Sequence, residues 1–516
     1  MRATSIGHAG ILIETDAGSI VCDPWFLPAF FGSWFVFPRN DQLDPALMAR
    51  IESPTYLYIS HLHADHLDEP WLIDHISRDT TVLLPGYPTR ELERRLRNLG
   101  FSTFIRTKNG ELTDLGGGLQ VAIHVETAIA DGPGGDSALV VLDGKHILVN
   151  QNDCRTNDLG ALSSHGPVDL HFLQFSGAIW YPMVYDETPE HMRQLVDAKV
   201  DSQLTRAMRY VEVVGSRHVV PAAGPPCFLD DDLFGFNVIR GDELSIFPDQ
   251  RVFLDRLATA GRSGIMNIPG TVIELTGDTM TVTHPVPDPE LRDIFEHKEA
   301  YLRAYQSDWK DWLTAHKSTW IAPRPDLLDR LKAWWEPLME LAPKLREGIG
   351  SGILLRAGDL DVYLDMPVGE VRKWEGEPYR YRFEIPRELV ETVAAEEAVD
   401  WSNALFLSCR FHAWREGPYN EYVYNFFKSL SSERMKRAEA EAARKLDPPE
   451  NDEEIELCGY VVDRYCPHRQ ADLSVFGEVS DGLLTCTLHG WQFDLATGDC
   501  LTATGNHLRV RPATPK

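Results

Sequence analysis

Short apolar runs separated by glycine, proline and aspartate fill the first 250 residues. Ser5-Ile-Gly-His8-Ala-Gly-Ile-Leu-Ile-Glu followed by Gly18-Ser-Ile-Val-Cys22-Asp23-Pro24-Trp25 predicts an opening β-hairpin that ends in an Asp-Pro turn. Tyr56-Leu-Tyr-Ile59 predicts a buried strand. Thr89 to Asn98, stopped by Gly100, reads as a helix, and so does Pro189 to Val213, with Met192, Leu195, Val196 and Val200 at helical spacing. From about residue 250 the pattern changes. Tryptophan and tyrosine become dense in Tyr301 to Trp312, and this stretch and Leu328 to Leu345 predict amphipathic helices. Strands are expected at Gly352–Arg356 and Leu360–Leu364, helices again from Pro386 to Leu430, and a charged, alanine-rich helix over Ser432–Lys445. Asp447-Pro-Pro-Glu-Asn-Asp-Glu-Glu reads as a linker. The reading is an α+β chain of three parts: residues 1–250, a helix-rich middle over 251–450 expected to cap a substrate pocket, and a short all-β module over 451–516.

Two clusters of metal-binding residue types stand out against this pattern. Near the C-terminus, Cys466-Pro-His468 and Cys486-Thr-Leu-His489 form C-x-H…C-x-x-H. Two thiolates and two imidazoles in that arrangement are the ligand set of a Rieske [2Fe–2S] cluster, which passes single electrons. Zinc sites more often repeat one spacing or use cysteine pairs, and here the two halves differ. Near the N-terminus, His61-Leu-His63-Ala-Asp65-His66 follows the strand at Tyr56. Three imidazoles and a carboxylate crowded at a strand end call for a cation among them. The strand leading to Asp153 offers a bridging acid, and Leu119 to Glu126 ends in a second carboxylate, Glu126. His124, two residues back on the same face, reads equally well as a core histidine. The motif from His61 to His66 resembles that of the metallo-β-lactamase fold, and the resemblance implies a last histidine where Val219-Val-Pro-Ala-Ala-Gly224 stands without one. The expected metal ligands are therefore His61, His63, Asp65, His66, Glu126 and Asp153, with Asp65 and His66 in the catalytic role. A set poor in imidazole and rich in carboxylate suits non-haem iron, with a mononuclear centre slightly favoured over a diiron one.

Composition narrows the partners. The chain of 516 residues carries a net charge of −28 and is 43% hydrophobic. That balance argues against nucleic acid, and an anionic substrate would need a local basic pocket. No run of about twenty apolar residues is present, so no membrane span is expected. No signal-peptide core precedes the first strand, and the other six cysteines are scattered as in reduced cytosolic proteins, so a cytoplasmic location is expected. Gly348-Ile-Gly-Ser-Gly352 precedes a strand instead of following one, which is the wrong context for a dinucleotide loop. Electrons from NAD(P)H must then arrive through an external ferredoxin or reductase.

The histidine motif resembles that of the metallo-β-lactamase fold, an αββα sandwich with metal at its edge. The chain as a whole resembles the CMP-N-acetylneuraminate hydroxylase family, which joins a Rieske cluster to a lactamase-like iron domain. The segments that carry the likeness are Cys22-Asp23-Pro24-Trp25 with the aromatic stretch to Phe37, Ile59 to Leu67, His146 to Cys154, Phe175-Ser-Gly177, Tyr181-Pro182-Met183 and Pro221-Ala-Ala-Gly224; Leu405 to His412 and Tyr419 to Tyr422 match more loosely. That family also lacks the last histidine, but its Rieske module is N-terminal. The C-terminal module here resembles the bacterial UDP-N-acetylmuramate hydroxylases. The resemblance implies O2-dependent hydroxylation of an N-acetyl methyl group to N-glycolyl on a nucleotide sugar, most directly UDP-N-acetylmuramate for peptidoglycan precursors, in a possible homo-oligomer. The alternative is a metal-dependent hydrolase with a redox-regulatory cluster.

Overall fold

The computed structural model describes residues 1–127, 135–156, 158–177, 179–446, 453–488, 490–503 and 506–513. The predicted linker after Asp447 and the ligand His489 lie outside or largely outside these residues. The chain divides into two compact units: Met1–Ile179 with Met192–Lys317, and Trp180–His191 with Ser318–Lys516.

The first unit contains fourteen strands among the described residues. They are β1 (Arg2–Gly7), β2 (Gly10–Thr15), β3 (Gly18–Cys22), β4 (Tyr56–Tyr58), β5 (Thr81–Leu84), β6 (Phe104–Arg106), β7 (Thr113–Gly116), β8 (Leu119–Glu126), β9 (Asp136–Leu142), β10 (Ile147–Asn152), β11 (Leu170–Gln174), β12 (His218–Ala222), β13 (Val272–Thr276) and β14 (Thr279–Thr283). One sheet runs β14-β13-β1-β2-β3-β4-β5-β6 and the other β12-β11-β10-β9-β8-β7. Strand alternation sends one set of side chains between the sheets: Ile11, Ile13, Ile20 and Tyr58 meet Val121, Ile123, Val141 and Phe172. The opposite set, Leu12, Val21, Leu57 and Val82, packs under the helices Pro45–Ile51, Glu69–His75 and Glu91–Asn98 through Ile51, Trp71 and Leu96. The helix Pro189–Val214 leads into β12. The unit has the expected metallo-β-lactamase-like αββα architecture.

The composition change at residue 250 falls inside this unit. The aromatic helix Lys298–Lys317 belongs to it because Leu302, Tyr305 and Leu313 bury against Phe35, Cys227 and Leu229.

In the second unit a five-stranded sheet is ordered Glu370–Lys373, Leu360–Asp365, Ile353–Ala357, Tyr381–Ile385, His412–Arg415. The expected helical run from Pro386 to Leu430 is broken up. A helix Arg387–Ala395 ends before Glu397, which is left-handed at φ 46°; a 3-10 turn and the strand His412–Arg415 follow, and helix resumes at Glu421–Lys428. Alternation decides the strand, since Ala413 is buried opposite Phe383. Trp401 is fully buried with its ring 5.1 Å from Trp335, so it is a core aromatic. Gly350 (φ 63°) closes the helix Pro343–Ile349 immediately before a strand, as the failed dinucleotide fingerprint required.

The C-terminal module consists of two three-stranded sheets: Glu454–Leu457, Tyr460–Asp463 and Val510–Pro512; then Gly477–Ser480, Leu483–Cys486 and Trp491–Asp494. It is anchored on the rest of its unit. Glu421 accepts from Lys445 Nζ at 2.6 Å and from Asn506 Nδ2 at 3.2 Å, all three side chains being largely buried. No helix among the described residues is long and apolar enough to cross a membrane.

Candidate metal centres

The N-terminal site is built from loops that leave strand ends. Asp23 follows β3 in a left-handed conformation (φ 40°), and its carboxylate accepts the Ser60 N–H at 2.7 Å and reaches His66 Nδ1 at 3.1 Å. It thereby ties the loop after β4 to the end of β3. In that loop the His66 and Leu67 N–H groups both donate to the His63 carbonyl, at 3.0 and 2.8 Å, which winds His61, His63, Asp65 and His66 into one turn. Asp153 follows β10. Ligand-bearing loops at the carboxyl ends of parallel strands are the usual location for sites in such sheets.

Two donor groups result. His61, His63 and Asp153 form one, and His8, Asp65 and His66 the other; within each, the ligand atoms lie within 4.8 Å of one another. Asp153 stands between them, with one oxygen 3.3 Å from His66 Nε2 and the other 3.9 Å from His61 Nε2. His61 Nε2 and His63 Nδ1 converge to 2.6 Å.

His8 was not expected as a ligand. It occupies the β1–β2 turn in a left-handed conformation (φ 51°), and its Nε2 sits 3.1 Å from Asp65 Oδ2. Its carbonyl accepts the Ala223 N–H at 3.0 Å. His8 therefore approaches the second group beside Pro221-Ala-Ala-Gly224, the segment where a last histidine was missing. The chain supplies that imidazole from its other end.

Glu126 joins neither group, in contrast to the expectation for it. Its Oε1 accepts the N–H of its neighbour Thr127 at 2.9 Å. Its register partner Asp136, not singled out from the sequence, is the carboxylate that reaches His61 Nδ1 at 3.3 Å, beside Ser60 Oγ at 2.9 Å, and the two together orient the ring. His124 lies beside Gly110 and His165, away from both groups.

The electrostatics suit a cation. Burial, then the neighbouring His61, pushes His63 down to about 3, so it is a neutral ligand at physiological pH. Burial works to raise Asp65 and Asp153, yet the imidazoles around each hold both below the usual carboxylate range. His66 Nε2, Asp65 Oδ1 and Asp153 Oδ1 are buried without a hydrogen-bond partner among the described residues. Buried polar atoms are nearly always satisfied, so a convergent set left open fits a metal. Because His8 completes the second group, His8→Ala should roughly halve the metal retained in this pocket, measured as metal per chain after subtracting the cluster's iron. Unchanged stoichiometry would exclude His8 as a ligand.

At the other end, Cys466 and Cys486 are 1% and 0% exposed, unoxidised, and close enough for one thiol to hydrogen-bond the other. Burial, then Cys486, raises the Cys466 thiol. Cys466 and His468 lie in a loop braced by Gln470 N–H on Cys466 O (2.8 Å), and Cys486 ends the strand before the second loop, braced by Gly490 N–H on Cys486 O (2.8 Å). His468 stacks on Trp491 at 3.8 Å. Two thiols held together in a buried pair suit iron–sulfur ligation.

A Rieske [2Fe-2S] domain model matches residues 451–510, and an Rv3818-like, SCP2-like domain model matches residues 327–444. The Rieske 2Fe-2S iron–sulfur protein Rv3818 of Mycobacterium tuberculosis H37Rv is 45% identical over 518 residues, covering 99% of both chains. The chain belongs to the Rv3818-like family of Rieske iron–sulfur proteins. A more distant relative of this Rv3818-like chain is the cytidine monophosphate-N-acetylneuraminic acid hydroxylase of Danio rerio, 30% identical over 191 residues, or 35% of this chain and 30% of the hydroxylase. Among solved structures, the metallo hydrolase Igni18 of Ignicoccus hospitalis matches 55% of this chain and 98% of its own, with 15% identity and a TM-score of 0.36.

Proposed function

We propose that this Rv3818-like protein is a Rieske-dependent monooxygenase. It converts the N-acetyl methyl group of a nucleotide amino sugar to N-glycolyl, with UDP-N-acetylmuramate as substrate. The observation that carries this reading is the pair of three-donor groups with Asp153 reaching from one toward the other, carried on the same chain as the Rieske module. The distant likeness to an N-acetylneuraminic acid hydroxylase supports the reaction, and the C-terminal position of the cluster module supports the muramyl sugar. Hydroxylation consumes one O2, two electrons and two protons for each methyl group and releases one water. Non-haem iron in this pocket would supply the one-electron reactivity toward dioxygen that a methyl C–H bond demands.

The chain's own residues do the rest. His61, His63 and Asp153 would hold one iron and His8, Asp65 and His66 the other, with Asp153 between them. The presence of His8 shifts the balance of this reading from a mononuclear to a dinuclear centre. Asp23 and Asp136 fix the orientation of His66 and His61 through their Nδ1 atoms. Trp25, fully buried and edge-on to His8 at 5.0 Å, keeps water from that ligand. Cys466, His468, Cys486 and His489 would hold the Rieske cluster, which would supply one-electron chemistry with an external ferredoxin or reductase as the source.

Incubating the iron-loaded protein with a reductase, NADPH, O2 and UDP-N-acetylmuramate should add one oxygen to the sugar by mass spectrometry. UDP-N-acetylglucosamine and CMP-N-acetylneuraminate serve as comparisons. Hydrolysis products without oxygen gain would favour a hydrolase instead and end the monooxygenase reading.

A further inference from the structure

Immediately beyond Asp153 the first unit gathers cationic side chains for which no ion-paired carboxylate is seen among the described residues, although Glu126 lies near enough to act on Tyr210. Lys199, Gln203, Arg206 and Tyr210 share one stripe of the helix Pro189–Val214. Gln203, Arg206 and Tyr210 are 2%, 6% and 3% exposed. Arg155 comes from the loop after β10, and its Nη2 and Gln203 Nε2 line Gly177, where a Cβ would stand 3.3 and 2.7 Å from them. Gln203 Nε2 donates to the Gly177 carbonyl at 3.3 Å, whereas Gln203 Oε1 and Tyr210 Oη have no hydrogen-bond partner among the described residues.

The neighbours acting on these cations are mostly other cations. Burial, then Arg155 and Arg206, pushes Lys199 down to about 7, and burial, then Arg155, pushes Arg206 down to about 9. Grouped, desolvated positive charge without an anion is costly and is seldom kept for stability alone. In a chain of net charge −28 it is also a local cluster of positive charge of the kind an anionic substrate needs.

We propose that Arg155, Lys199 and Arg206 cradle the diphosphate of the nucleotide-sugar substrate, with Arg155 and Gln203 held in place by their close packing on Gly177. This assignment rests on the proposed function. Two features favour a diphosphate over the lactyl carboxylate. Lys199 and Arg206 are separated by about 10 Å of helix, at ~1.5 Å per residue, which suits a group bearing two phosphates better than a single carboxylate. Arg155 is two residues from Asp153, at most about 7 Å of chain. The diphosphate and the N-acetyl group sit on adjacent carbons of the sugar, so anchoring one here keeps the other within reach of the metal-binding side chains.

Calorimetric titration of the full-length, iron-loaded protein tests the assignment. The ligands are inorganic pyrophosphate, UDP-N-acetylglucosamine, UDP-N-acetylmuramate and free N-acetylmuramate. Lys199→Met and Arg206→Met should each weaken the first three about tenfold or more, as expected for a lost charge-assisted hydrogen bond. Free N-acetylmuramate should be unaffected, and Lys199→Arg should bind nearly as the parent does. Gly177→Ala, whose methyl would push Gln203 and Arg155 out of place without changing charge, should give the same loss and covers the case of a misfolded charge variant. Parent-like binding of the UDP-sugars by all three disruptive variants would overturn the assignment, and so would a loss confined to N-acetylmuramate.

Stability provides an independent readout. Lys199 is lowered from 10.5 to about 7, so the cost of burying its charge is felt in full below pH 7 and is relieved between pH 7 and 10.5. Unliganded Lys199→Met should melt above the parent at pH 7, with the gap closing as pH approaches 10.5. A lower melting temperature at pH 7 would mean that Lys199 is structurally compensated, against the assignment. If no sugar is hydroxylated but Lys199-dependent diphosphate binding persists, the functional reading fails and the cradle stands. If hydroxylation proceeds and Lys199→Met and Arg206→Met leave KM unchanged, the reverse holds.

Discussion

Asp153→Asn should lower hydroxylation by more than about 100-fold and reduce the iron content to that of the cluster alone, with the cluster's visible spectrum unchanged. The amide keeps the shape of the side chain but removes the negative charge and one acceptor. Asp153 presents one carboxylate oxygen to the Nε2 of an imidazole in each donor group, at 3.3 Å from His66 and 3.9 Å from His61. Losing it should exceed the ~10–100-fold cost typical of residues that merely orient ligands. Asp136→Asn offers the contrast, since among the imidazoles it reaches His61 Nδ1, its other contact being the Ser137 N–H, and it should fall within that smaller range. Full iron retention with normal turnover in Asp153→Asn would exclude the shared-carboxylate arrangement. Metal analysis and steady-state kinetics on the same preparations make the comparison direct.

Cys486→Ser should bleach the cluster and abolish NADPH-coupled turnover while leaving metal in the N-terminal pocket. Cys486 is fully buried beside Cys466, and serine's hydroxyl would be a poor substitute for a thiolate ligand to iron. Electron paramagnetic resonance of the reduced protein reads the cluster, and metal analysis reads the remaining iron. Continued NADPH-dependent turnover without the cluster signal would sink the proposed electron route.

Much of this was legible in the sequence because it is local. His61, His63, Asp65 and His66 lie within one turn, and Cys466 and His468 share a loop, so short spacing carried the chemistry. The opening strands of the first unit followed from short apolar runs bounded by turn residues, and the helix Pro189–Val214 from its apolar spacing. His8 was not legible, because its role depends on the β1–β2 turn meeting Pro221-Ala-Ala-Gly224 across more than two hundred residues of chain. One signal was present: a histidine in a Gly-His-Ala-Gly turn at the end of a buried strand, in a chain short of one imidazole. Glu126 misled because strand-end position was used without register; pairing with β9 brings Asp136 to the spot instead. The domain boundary misled because the aromatic density of Tyr301 to Trp312 signals burial without saying against which partner. Phe35 and Leu229 turned out to be that partner.

The anchor formed by Glu421, Lys445 and Asn506 bears on how this protein can be dissected. A fragment cut where the iron–sulfur domain match begins, at residue 451, would leave Asn506 facing water and would strand a lysine–glutamate pair in the remaining piece. Neither half would then be a faithful miniature of the whole. Redox titrations on an excised module would report a centre in altered surroundings, so electrochemistry on this protein belongs on the intact polypeptide.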